Sequence, residues 1–167
     1  MKKASALFLM ILIAVSCRVS YQFNGASIDY NIIKTIDIRD FQNQAAMVYP
    51  PLTQVFNEKL KDHYTKNTKL TFTDAAPDLE LEGEIIRYDL VSQTPKDGQW
   101  DSETRLTLAV RIRFKNNKQP NEDREETISA YRDFSSSKLL TDVQDQLIDE
   151  LSEEIVDQIF NATLSKW

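Results

Sequence analysis

Catalysis needs side chains that can move a proton, attack a carbon or hold a metal, and this chain is poor in them. It has one cysteine, Cys17, and one histidine, His63, in 167 residues. His63 follows Leu60 by one helical turn and sits beside Tyr64, at the edge of what reads as an apolar helix face. A zinc site there would have to be completed by carboxylates, an uncommon ligand set. Gly25, Gly83 and Gly98 lie too far apart to build a loop that cradles a phosphate. A nucleophile must also lie within reach of its base, and the carboxylates fall on strand and helix faces that read as solvated surface. A non-enzyme without a metal or other cofactor is expected.

The most ordered polar constellation is a row of cations. In "RLTLAVRIRFKN" (residues 105–116), Arg105, Arg111, Arg113 and Lys115 share one parity, opposite Leu106, Leu108, Val110, Ile112 and Phe114. Alternate residues of a strand face the same way, so these four form a stripe. Two readings stand. The planar fork of arginine suits the phosphates of a glycolipid or the acidic groups of a partner. Alternatively, a hairpin closing near Asp97-Gly98 sets Glu82 across from Arg113 and Glu84 across from Arg111, pairs worth roughly 0.2–1 kcal/mol each. Trp100, in the polar loop "SQTPKDGQWDSE", is a further contact candidate. Tyr21, Phe23 and Tyr30 either pack on the sheet or meet a partner.

Cys17 has a different chemistry. It ends "LFLMILIAVSC", an apolar run after Lys2 and Lys3. The run is too short to cross a membrane, which takes roughly 20 apolar residues. A basic start, an apolar middle and small residues before a cut mark a secretory signal. The cysteine directly after "AVS" matches the lipobox, where the thiol is acylated and the chain is cut before it. Ala14 stands where that motif usually has leucine. Residues 1–16 are therefore expected to be a signal peptide and Cys17 the lipidation site, since several acyl chains hold a protein stably on a membrane. Of the 167 residues, 151 would remain, enough for one domain with a sizeable core. The loss of Lys2 and Lys3 leaves 18 basic against 26 acidic side chains, a formal charge of −8 instead of −6. That balance argues against nucleic acid as a partner. A lone cysteine also excludes an intramolecular disulfide.

The elements that must position these residues follow from periodicity. Residues 17–31 read as a lipidated tether, and 32–167 as a single domain. "IIKTIDI" (32–38) reads as a strand with Ile36 and Ile38 inward, and "KLTFTD" (69–74) as another. Pro50 and Pro51 open a helix in which Leu52, Val55, Phe56, Leu60 and Tyr64 line one face. In "LELEGEIIRYDLV" (79–91) the apolar parity switches from Leu79, Leu81 and Ile85 to Ile86, Tyr88 and Leu90, the mark of a β-bulge. A turn at "NNKQPNED" leads to a strand near 127–134. Thr141 and Gln144 resemble a capping box, and Val143, Leu147, Leu151, Ile155 and Ile159 continue as a helical stripe. The fold class expected is α+β: a two-layer sandwich with two helices packed on one face of a mixed, mostly antiparallel sheet.

The order of segments carries a resemblance. "CRVSYQFNGASI", "IDIRDFQNQAAMVYPPLTQVFNEKL", "LELEGEIIRYDL", "RLTLAVRIRFKN", "YRDFSSS" and "LIDELSEEIVDQIFNATLSKW" together resemble the LptE family, the lipopolysaccharide-assembly lipoproteins of Gram-negative outer membranes. The resemblance implies a lipoprotein on the inner leaflet of the outer membrane, facing the periplasm and the lumen of a partner. That partner is an LptD-like β-barrel translocon, which the family plugs and supports while lipopolysaccharide is placed in the outer leaflet. Direct contact with lipopolysaccharide is implied for some members, which would give Arg105, Arg111, Arg113, Lys115 and Trp100 a role at lipopolysaccharide or at the barrel wall. Arg18 after the cysteine is not the Asp that retains many lipoproteins in the inner membrane, and no acidic run follows to direct export to the cell exterior. The alternative is a lipid-anchored accessory subunit of another envelope transport or barrel-assembly complex.

Overall fold

The computed structural model describes residues 28–94 and 102–164. Cys17, Tyr21, Phe23, Trp100 and the Asp97-Gly98 turn signal lie outside them. The chain runs β1 (Thr35–Ile38), β2 (Gln42–Asn43), α1 (Pro50–Asn67), β3 (Thr71–Phe72), β4 (Leu79–Gln93), β5 (Glu103–Asn116), a 3₁₀ turn (Pro120–Glu122), β6 (Arg124–Ser135) and α2 (Leu140–Leu164). The strands form one sheet in the order β3-β1-β4-β5-β6, with β2 also paired to β4. β4, β5 and β6 are antiparallel, while β1 and β2 run parallel to β4. The class is therefore the expected one, α+β, with both helices on one face of a mixed sheet.

The apolar parities decide which face the helices cover. Leu79, Leu81, Ile85 and Tyr88 of β4 and Leu106, Leu108, Val110, Ile112 and Phe114 of β5 are all buried. They meet Leu52, Phe56, Leu60 and Tyr64 of α1 and Leu151, Ile155 and Ile159 of α2 in one continuous core. The helices also touch each other. Phe160 stands edge-on to His63 and Tyr64 at ring distances of 4.7 and 5.2 Å, and the Tyr64 and Thr163 hydroxyls are 2.6 Å apart. Tyr30 packs partly against this core.

Two irregularities set the registers. The β4–β5 pairing shifts between Ile85 and Arg87, so Ile86 is the extra residue of a bulge. After it Tyr88 points inward as expected, but Ile86 lies outside the core cluster and Leu90 is 38% exposed, because the hairpin runs on past the helix layer. The second irregularity lies between β1 and β2. Ile38 pairs with Leu81 and Gln42 with Glu84, so four steps on one strand match three on the other. The extra residue turns the fully buried Phe41 into the core.

Other expectations are corrected at element ends. β1 starts at Thr35, because the amides of Ile32 and Ile33 both turn back to the Asp29 carbonyl. β3 keeps only two residues of 69–74. The Thr141–Gln144 capping box does not form: α2 begins at Leu140, and the Gln144 amide donates to the Tyr88 hydroxyl at 2.7 Å.

Candidate functional site

With both helices on one side, the other face of the sheet carries the odd-numbered residues of β5 among polar neighbours from β1, β4 and β6. The antiparallel register sets Glu82 opposite Arg113 and Glu84 opposite Arg111. Both pairs close. Arg113 Nη1 donates to Glu82 Oε1 at 2.6 Å and Arg111 Nη1 to Glu84 Oε1 at 2.8 Å. Arg105 belongs to a separate group nearer the hairpin tip. Its Nε and Nη2 donate to the two oxygens of Asp133, each at 2.8 Å, and its guanidinium lies 3.7 Å from the Tyr131 ring. Lys115 stands opposite Glu80 and has no carboxylate within 4 Å among the described residues. The four candidate cations thus share a face but split into two groups, with Ala109 between them.

A fifth cation joins the larger group, and sequence reasoning missed it. Arg39 follows β1, and its Nη1 donates to Glu82 Oε2 at 2.8 Å. Glu82 therefore bridges two guanidinium groups, one per oxygen. The bond from Arg113 holds its carboxyl below the usual carboxylate range; partial burial opposes this and the charge of Arg39 adds to it. Arg39 also lies 3.3 Å from Asp37 and 3.8 Å from Glu80. Only the parallel pairing of β1 with β4 brings these residues together. The available signal was parity, since Arg39 has the outward parity of Asp37, opposite the buried Ile36 and Ile38.

These side chains line a shallow cleft of ≈ 290 Å³ whose walls include Arg39, Asp40, Glu82, Glu84, Arg111 and Arg113. Its floor is the backbone at Gly83 and Ile112. The wall arginines stay charged, and the bond from Arg113 favours the ionised form of Glu82. What the cleft can do is exchange partners. Its ion pairs are solvent-exposed, so each is worth little, and an incoming anion can take an arginine from its glutamate at small cost.

The remaining candidates lie elsewhere. His63 is on the helix layer, with Nδ1 3.3 Å from Asp157 Oδ1 and its ring against Phe160. It is the edge-of-core histidine that its spacing implied. Among the described residues no group of three His, Cys, Asp or Glu side chains is placed to hold a metal ion. No described helix is long and apolar enough to cross a membrane.

Comparison with known proteins adds identity to this geometry. Solved structures share the architecture at low sequence identity. A Xanthomonas campestris protein is 11% identical, with 80% of this chain and 85% of that one covered and a TM-score of 0.53. A hypothetical protein of Chlamydia trachomatis is 10% identical, with 78% and 98% covered and a TM-score of 0.51. At such identities the likeness speaks for the fold alone. A minor lipoprotein of Acinetobacter baumannii is 19% identical, with 81% and 99% covered and a TM-score of 0.48. No curated protein sequence matches the chain. The family model described as "LptE: Lipopolysaccharide-assembly" matches residues 33–163, from the end of the first turn to the last turn of α2. With most of its length matched, this chain belongs to the LptE lipopolysaccharide-assembly family.

Proposed function

We propose that the chain is the lipoprotein subunit of an outer-membrane lipopolysaccharide translocon, held at the inner leaflet through Cys17 and seated in the lumen of a β-barrel partner. The family match over 33–163 carries this reading. The fold supports it, because a two-layer domain with one continuous core suits a plug that supports a larger partner. The surface assigned to the barrel wall or to lipopolysaccharide is the sheet face opposite the helices, with Arg111 and Arg113 at its cleft, Lys115 beside them and Arg105 farther along β5. Trp100, outside the described residues, is kept as a contact candidate from its sequence alone. Affinity purification of the chain from detergent-solubilised outer membrane tests the role, and a lipopolysaccharide-exporting barrel is expected to come down with it. Recovery of a different envelope complex instead would overturn the reading. The face is tested by changing Arg111 and Arg113 together to Ala. Folding is expected to stay near normal, because exposed pairs contribute only about 0.2–1 kcal/mol each. Barrel co-purification and lipopolysaccharide binding are expected to weaken and become salt-sensitive. Wild-type binding of both at low and high salt would make the arginines scaffolding.

A further inference from the structure

The described chain begins at one end of the sandwich. Ile28, Asp29 and Ile33 share a depression with Leu79 at the start of β4, Phe114 near the end of β5, Arg124 at the start of β6, and Thr163 and Leu164 at the end of α2. Leu139, just before α2, lies at the opposite end, about 37 Å away along a 25-residue helix. Ile28 follows Cys17 by 11 residues, which span at most about 40 Å even when fully extended. The Ile28 end is thus kept within about 40 Å of whatever Cys17 is fixed to, and it is the end of the domain where the tether joins.

That end carries a mixed cationic and apolar corner. Ile32 is 46% exposed and Phe72 38% exposed, large apolar groups left in solvent. Lys34 and Lys69 lie on the same two neighbouring segments. The Thr71 amide donates to the Lys34 carbonyl at 2.9 Å, Ile36 pairs with Phe72, and the Lys69 amide donates to the Tyr30 hydroxyl at 3.3 Å. Lys69 Nζ sits over the Tyr30 ring at 5.9 Å. Nearby Lys66 and Lys118 are each 3.0 Å from an aspartate. The ammonium groups of Lys34 and Lys69 have no carboxylate within 4 Å among the described residues, although the Lys34 backbone amide donates to Asp78. Unpaired lysines beside a tyrosine and exposed aliphatic and aromatic groups suit the interfacial zone of a bilayer, where ammonium groups meet lipid phosphates and apolar tips enter the headgroup layer.

We propose that this corner, Tyr30, Ile32, Lys34, Lys69 and Phe72, is a second membrane contact that lays the domain's near end on an anionic phospholipid surface. It rests on the reading of Cys17 as acylated. A short tether makes such a weak contact effective, because the corner meets the surface at high local concentration.

The test uses the full acylated chain in vesicles of phosphatidylethanolamine and phosphatidylglycerol. Acylation blocks the only native thiol, so Ile32→Cys, Phe72→Cys and Leu139→Cys each accept one polarity-sensitive fluorophore. Blue-shifted emission is expected at positions 32 and 72, absent at 139 and reduced in purely zwitterionic vesicles. Adding Lys34→Ala and Lys69→Ala should lower the docked-to-free ratio about fivefold for each lysine, with palmitate incorporation and vesicle flotation unchanged. The same emission at 32 and 139, or a shift at 32 that arises only when a barrel partner is added, would overturn the membrane contact. Should palmitate labelling show no acylation, the anchor reading fails on its own. The same labelled chains, with Cys17→Ser and an N-terminal hexahistidine tag on nickel-chelating lipid, then decide the contact by the same comparison of 32 with 139.

Discussion

Gly83 shows how much a single residue decides. A Cβ added there would lie 2.4 Å from Phe41 Cε2 and 2.5 Å from the Arg111 carbonyl oxygen. The aromatic ring fills the place of the missing side chain, and the cleft floor on the other face depends on that fit. Gly83→Ala is expected to cost about 1–3 kcal/mol by overpacking, read from denaturant melts. Pairing it with Phe41→Leu should recover only part of the loss, since the Arg111 carbonyl cannot retreat. Asp78 decides a different property. It accepts from the Lys34 amide at 2.8 Å, the Thr35 amide at 3.1 Å and the Lys118 ammonium at 3.0 Å. These bonds, the Lys34 amide foremost, lower its pKa from 3.8 to about 2. A folded value below the unfolded one gives stability that is complete above about pH 4 and is lost as the pH falls toward about 2. Stability measured across that window should fall with acid in the parent chain, and Asp78→Asn should flatten the slope.

Among the elements, the β4–β5 hairpin was the most legible, because a period of two is written directly into 105–114 and a parity switch into 79–91. The pairs Glu82–Arg113 and Glu84–Arg111 depend both on where the hairpin closes and on the bulge at Ile86, which shifts the register by one residue relative to Gln93–Glu103. Pairings between distant segments were not legible in this way. Arg39 reaches Glu82 only through the parallel β1–β4 contact, and Asp133 reaches Arg105 through β6, both matters of topology. Local rules misled where a tertiary partner was stronger, as when Gln144 left its expected capping role for the hydroxyl of Tyr88. The helices were legible by stripe, and α2 supplies the sharper test. Leu151 and Ile155 are fully buried against the sheet. Leu151→Ala and Ile155→Ala are each expected to destabilise by about 2–5 kcal/mol, through lost transfer energy and the cavity left behind. A loss under about 0.5 kcal/mol at both positions in denaturant melts would mean that α2 is not packed on this core.

At the scale of the whole molecule, the described core and the proposed anchor fall in different parts of the chain. Among the described residues the continuous core runs from Ile33 to Leu164, and the family model matches nearly the same interval, 33–163. The sheet face opposite the helices carries exposed ion pairs that contribute little to folding. If Cys17 serves only as the anchor, Cys17→Ala should separate the two properties. Metabolic palmitate labelling and membrane retention are expected to disappear, while the unfolding free energy of the domain stays within about 0.5 kcal/mol of that of the acylated protein. Retained labelling would place the acyl group elsewhere. A large drop in stability would instead mean that residues before Ile28 contribute packing that the core from Ile33 to Leu164 does not need for its own closure.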